Sequence, residues 1–89
     1  MNDEEKEKAI SFGLEIAADQ FEDVDCKEDI DEIILYGKDI LKDSHHIFYS
    51  VEDYKKTPDE FFDLAFYSFK EFLEKQKEKL KDREDNSEE

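Results

Sequence analysis

Three short constellations in this chain bring together residue types that could do chemistry. Asp23-Val-Asp25 opens like a calcium loop. Such a loop wraps a hard cation in oxygens from alternate positions, needs a glycine at its sixth position for a sharp turn, and closes with a bidentate glutamate at its twelfth. Here Lys27 holds the fifth position, Glu28 the sixth and Ile34 the twelfth. The turn and the closing ligand are both missing, which leaves only weak, nonspecific binding of divalent cations. Asp43-x-x-His46 has the spacing at which a carboxylate and an imidazole on one helix reach the same metal ion, but bundle sites of that kind also need inward glutamates from the facing helices. The apolar seams offer Phe and Ile instead, so His45 and His46 read as surface residues or a helix joint, and no metal is expected. Cys26 stands alone among acids, a setting that keeps a thiol protonated and makes it a poor nucleophile. There is no Ser-His-Asp order with supporting glycines, no phosphate-cradling Gly loop and no cysteine pair. The chain reads as a non-enzyme without a cofactor.

What the sequence does concentrate is negative charge. It has 28 Asp and Glu against 13 Lys and Arg, a net charge of −15 over 89 residues. Residues 1–69 hold 20 acids and 7 bases, whereas residues 70–89 hold 8 and 6. The densest part is Asp19–Glu32, where Asp19, Glu22, Asp23, Asp25, Glu28, Asp29, Asp31 and Glu32 face a single base, Lys27. Glu52, Asp53, Asp59, Glu60 and Asp63 make a second acidic patch. Nucleic acid and anionic membrane carry the same sign, so neither is a direct partner. A basic protein is, above all one that binds nucleic acid. A lone cysteine gives no disulfide framework, which suits a reducing cytoplasm. The N-terminal MNDEEKEK has no apolar core of a secretory signal, and no apolar run is long enough for a bilayer.

These residues must be positioned by helices. Between Glu4 and Val24, the apolar residues Ile10, Leu14, Ala17, Phe21 and Val24 recur at 4-3-4-3 spacing, an amphipathic seam. Ala9, Phe12 and Ile16 widen it to about 200°. Gly13 costs ~1 kcal/mol relative to Ala in a helix and so suggests a close helix–helix approach. Asp25-Cys-Lys-Glu28 and Asp29-Ile-Asp-Glu32 are overlapping capping boxes for a second helix, whose seam continues as Ile30, Ile34, Gly37 and Leu41, flanked by Ile33 and Ile40. The seven-residue spacing of Ile33, Ile40, Ile47 and Tyr54 favours one long helix over 27–55, with Ser44 as the place for a kink. The alternative is two helices broken at Asp43–His46. Thr57-Pro58-Asp59-Glu60 starts the last helix, 58–81, with seam Phe62, Phe66, Phe69, Leu73, Gln76 and Leu80. The expected architecture is all-α: an antiparallel three-helix bundle over a single domain, 1–82, followed by a disordered acidic tail, 83–89. The wide stripe of the first helix has two uses, a phenylalanine-rich monomer core or a homodimer interface through Phe12 and Ile16.

Within the acidic run, Asp25, Glu28, Asp29 and Glu32 have plausible roles as caps and dipole partners. Asp19, Glu22, Asp23 and Asp31 have none, which makes them the favoured contact residues. Carboxylates four apart on a helix rise about 6 Å, the scale of successive phosphates along a strand. In size, acidity, helical character, aromatic content and acid rows such as DVDCKEDIDE and VEDYKKTPDEFFD, the chain resembles the small acidic helical DNA mimics of phages, the anti-restriction proteins and related inhibitors of host defence. The resemblance implies inhibition by charge mimicry at a basic site, often as a dimer. Two other readings are an adaptor that binds through a hydrophobic helix face and an immunity- or antitoxin-type protein that neutralises a basic toxin.

Overall fold

The computed structural model describes residues 2–48 and 50–87, and their side chains except at positions 47, 48, 51, 54 and 81–87. The chain is all-helical, with α1 (Asp3–Phe21), α2 (Lys27–Leu35), α3 (Gly37–Phe48), α4 (Val51–Lys56) and α5 (Asp59–Ser87). α1, the α2–α3 pair and α5 form the antiparallel three-helix bundle, and α1, α2 and α3 all pack on α5. α5 has 29 residues, about 43 Å at 1.5 Å per residue, and is the spine of the molecule.

Each boundary has a local cause. Asn2 caps α1 by accepting the Glu5 amide at 2.8 Å, which starts the helix one residue before the expected Glu4. α1 ends at Phe21 rather than Val24. Its last turn carries no basic residue. Instead, the Gln76 amide nitrogen on α5 donates to the carbonyls of Phe21 and Val24 at 2.9 and 2.6 Å. The Phe21 carbonyl also accepts the Val24 amide at 3.2 Å, so backbone and side chain together close a helix end that would leave its last carbonyls exposed. Neither overlapping capping box forms as expected: Cys26 occupies the N-cap of α2 with no side-chain cap bond, which places Asp29 inside the first turn.

The middle segment is helical through Asp43–His46, so the alternative break there is not found. The interruption lies earlier, at Tyr36, whose φ of −98° and ψ of 12° leave the α region. The backbone bonds on either side persist, Tyr36 N–H to the Glu32 carbonyl at 3.1 Å and Ile40 N–H to the Tyr36 carbonyl at 3.0 Å. The interruption lies beside a close contact with α5. Gly37 is buried so closely that a Cβ there would stand 2.8 Å from Phe66 Cδ1 and 3.2 Å from Phe69 Cε1.

The single helix expected to reach residue 55 is also divided near residue 50, where Ser50 Oγ accepts the Asp53 amide at 3.1 Å and caps α4. α4 stops at Lys56, because the residue before Pro58 is disfavoured in the α region. The Thr57 hydroxyl donates back to the Asp53 carbonyl at 2.6 Å, and α5 begins at Asp59. Of the segment expected to form a tail, 83–87 continue α5, and 88–89 lie outside the described residues.

The core is Phe12, Ile16, Ala17, Ile30, Leu41, Phe62, Ala65, Phe69, Leu73 and Leu80, with Phe21, Val24, Ile33, Ile34, Ile40, Phe61, Phe66 and Phe72 packed around it. The closest approach is between α1 and α5. A Cβ on Gly13 would collide with the Ala65 carbonyl oxygen and with Ser68 Oγ. Ser68 shares its hydroxyl proton between the Ile10 carbonyl at 2.8 Å and the Ala65 carbonyl at 3.0 Å, which bonds one helix to the other through the same contact.

Replacing Gly13 by alanine should therefore destabilise the fold. Alanine gains up to ~1 kcal/mol of helix propensity, but the two backbones must separate, and overpacking of this kind costs about 1–3 kcal/mol. Urea unfolding of G13A should show a lower midpoint, and an unchanged or raised midpoint would refute the close-contact reading.

Candidate functional site

All eight carboxylates of Asp19–Glu32 are exposed, but the fold does not set them in one row. The end of α1, the turn and the start of α2 carry them around one end of the bundle. Glu22, Asp23 and Asp25 border a groove whose other wall is Phe72, Lys75, Gln76 and Lys79 of α5. Asp29 and Glu32 border a second groove beside Ile33, Tyr36 and Ile40. Asp31 points to a third face, where Lys77 Nζ lies 2.6 Å from its Oδ1. Asp31, which lacked a structural role in the sequence, therefore ties α2 to α5. Among the described residues it is the one member of the run in an ion pair.

The acids given capping roles are also redistributed. Glu28 and Asp29 lie in the first turn of α2, where negative charge meets the positive end of the helix dipole. The Cys26 thiol donates to Glu28 Oε2 at 3.1 Å, and this bond is the leading cause that holds the Glu28 carboxyl below its ordinary value. Asp25 lies before the N-cap and Glu32 lies in the helix body, so neither caps. Asp19 and Glu22, at the end of α1, and Asp23, in the turn, remain exposed.

The second patch is split as well. Glu52 and Asp53 lie in the first turn of α4, and Asp59 and Glu60 in the first turn of α5. Asp63 is paired with Lys38 at 2.6 Å across α3 and α5. Surface pairs of this kind contribute about 0–1 kcal/mol, so they fix orientation more than stability.

Phe12 and Ile16 are 5% and 2% exposed and lie inside the single chain. The face assigned to a dimer or an adaptor contact is thus covered by the chain's own helices, because the glycine contact centres the buried stripe on residues 9, 12, 13, 16 and 17. The outer edge of the stripe is Ile10 and Leu14, at 40% and 43% exposed.

His45 also departs from the sequence reading. His46 is exposed, but His45 is buried, its ring set edge-on to Phe12, Phe61 and Phe62 with centroids at 5.9, 5.8 and 5.4 Å. Thr57 Oγ1, whose proton goes to the Asp53 carbonyl, lies 3.5 Å from His45 Nε2. The signal was in the spacing: His45 follows Leu41 by four residues, on the core face of the helix. Its polarity outweighed its position.

His45 opens onto a groove between α1, α4 and the start of α5. The charged groups around that groove are Glu4, Glu5, Glu7, Lys8 and Glu15 of α1 and Asp53 and Lys56 of α4. Among the described residues, no group of three His, Cys, Asp or Glu side chains is arranged to hold a metal ion, and no helix is long and apolar enough to cross a membrane. No protein-family model matches the chain, and neither curated proteins nor solved structures yield a match.

Burial holds the His45 imidazole below its ordinary value of 6.5, with neighbouring His46 acting in the same direction and Asp53 against it. The unfolded chain therefore binds this proton more readily than the folded one. The contribution of His45 to stability is complete above the unfolded value and is lost as pH falls from about 6.5 through the lower folded value. Between pH 7 and 5.5, where most carboxylates stay ionised, the wild type should lose stability with falling pH, and H45L should lose less. Urea midpoints across that window measure the difference, and parallel slopes would exclude His45 as the cause.

Proposed function

We propose that this protein is a non-enzymatic, cytoplasmic inhibitor of the kind phages use against host defence. In this reading it occupies a basic site on a nucleic-acid-binding protein by charge mimicry. The observation that carries the reading is the density of exposed negative charge on a rigid helical rod. The molecule measures 53 × 23 × 18 Å. The described residues hold 26 acids and 13 bases, a net of −13, which along 53 Å amounts to one net charge per about 4 Å, the scale of the ~3.4 Å spacing of phosphates along one strand of duplex DNA. Because the acids surround the rod instead of forming one row, the mimicry is of the field around a strand and not of a flat ladder of phosphates.

The mechanism is steering followed by exclusion. A field of this strength speeds encounter with a positively charged groove, and the bound rod then denies the groove to nucleic acid. An immunity- or antitoxin-type role against a basic nuclease uses the same chemistry on another target.

The direct test is capture of host proteins by the full chain, with washes of rising salt. The expected partner is a basic nucleic-acid-binding protein that is released as salt screens the charges and whose nucleic acid competes with the inhibitor. An affinity that did not change between low and high salt would sink the proposal.

Substitution sharpens the test. Converting Asp19, Glu22 and Asp23 together to Asn, Gln and Asn should weaken binding about tenfold, chiefly through slower association. Asp31→Asn should do less, since its charge is already opposed by Lys77.

A further inference from the structure

We propose that the groove between α1, α4 and the start of α5 is a seat for an arginine side chain of the basic partner. This site rests on the proposed charge-mimic function but lies apart from the Asp19–Glu32 run that the sequence singles out. The groove holds about 660 Å³. Phe61, Pro58 and the edges of Phe12 and His45 line its apolar part. Its rim carries five carboxylates, Glu4, Glu5, Glu7, Glu15 and Asp53, against Lys8 and Lys56, a local net charge of −3.

The arrangement on α1 explains why the groove is open. Glu7, Ser11 and Glu15 are successive i, i+4 neighbours on one face of the helix. Ser11 is exposed, and its short side chain leaves a gap between the two longer acids, directly beside Phe12. A side chain seated in the groove meets the half-buried Phe61 ring and Pro58, with the carboxylates of the lining around it.

Those surroundings suit arginine better than any other natural side chain. The guanidinium is planar, weakly hydrated and always charged, stacks on aromatic faces, and bonds carboxylates through two parallel donors. Its aliphatic stem covers apolar surface while the head stays among the acids. A lysine ammonium satisfies the charge and can approach a ring, as Lys42 does Phe62, but it has neither the planar face that stacks nor the paired donors that bond a carboxylate twice, and a neutral side chain lacks the charge.

The test is titration of the isotopically labelled full chain with the peptide acetyl-Gly-Arg-Gly-Arg-Gly-amide at low salt, followed by NMR. Versions with citrulline or lysine in place of arginine run in parallel. The expected shifts centre on Ser11, Glu15 and Phe61, with binding about fivefold weaker for citrulline, which removes the charge at a ring contact, and weaker also for lysine, which lacks the planar face and paired donors.

Ser11→Leu fills the gap at an exposed position with a better helix former. It should abolish the shifts at Phe61 while the urea midpoint holds. Equal binding by the lysine or citrulline peptide would overturn the assignment to arginine, as would full binding to S11L. Shifts centred on residues 19–32 would overturn the groove yet leave the basic-partner function standing. No binding of the arginine peptide anywhere would overturn both. Binding in the groove combined with a salt-independent partner would overturn the charge-mimic function alone.

Discussion

The structure depends on how closely α1 and α5 approach at Gly13. With no side chain there, the Ala65 carbonyl and the Ser68 hydroxyl come within reach of the α1 backbone, and Ser68 bonds the Ile10 carbonyl across the gap. That contact decides which side of α1 is inside. Ala9, Phe12, Ile16 and Ala17 turn in with Gly13, and Ile10 and Leu14 are left at the edge. Phe12 then meets His45 and Phe61, which joins α1 to the opposite layer of the bundle. Gly37 plays the corresponding part for α3, where Phe66 and Phe69 press against the backbone. The chain's two glycines thus both lie at close helix contacts.

This packing has to hold together a molecule with a net charge of −15. Self-repulsion of that size opposes compactness while favouring solubility. Among the described residues, the fold limits the cost by spreading the acids over several faces and keeping Asp, Glu, Lys and Arg side chains out of the core. The few bases are used at junctions: Lys38 with Asp63 links α3 to α5, and Lys77 with Asp31 links α2 to α5. Where no base is at hand, polar side chains finish the helix ends, as Gln76 does for α1 and Ser50 for α4. What remains on the surface is a strong negative field.

Much of the architecture could be read from the residues. The seam of α5 follows from Phe62, Phe69, Leu73 and Leu80 at helical spacing, because a long helix with one apolar face must bury that face. Helical character throughout, the close approach at Gly13 and the stop before Pro58 are likewise local consequences of residue type. The break at Tyr36 was hidden, because the residues that pack beside it, Phe66 and Phe69 against Gly37, come from a distant helix. The burial of His45 was hidden for a similar reason, since Phe12, Phe61 and Phe62 of two other helices close over that position.

The acidic surface divides in the same way. Composition alone determined its sign and strength, since charge is a sum over residues and needs no geometry. Its arrangement was decided by the tertiary structure. The turn after Phe21 wraps the Asp19–Glu32 run around one end of the rod, and Lys77 claims Asp31. At the other end, α1 and α4 bring Glu7, Glu15 and Asp53 around an aromatic-lined groove. Asp53 is 38 residues from Glu15, and no periodicity within either helix could have placed them together. Which charges share a surface is set by how helices pack, and that was the part the chain could not show until it was folded.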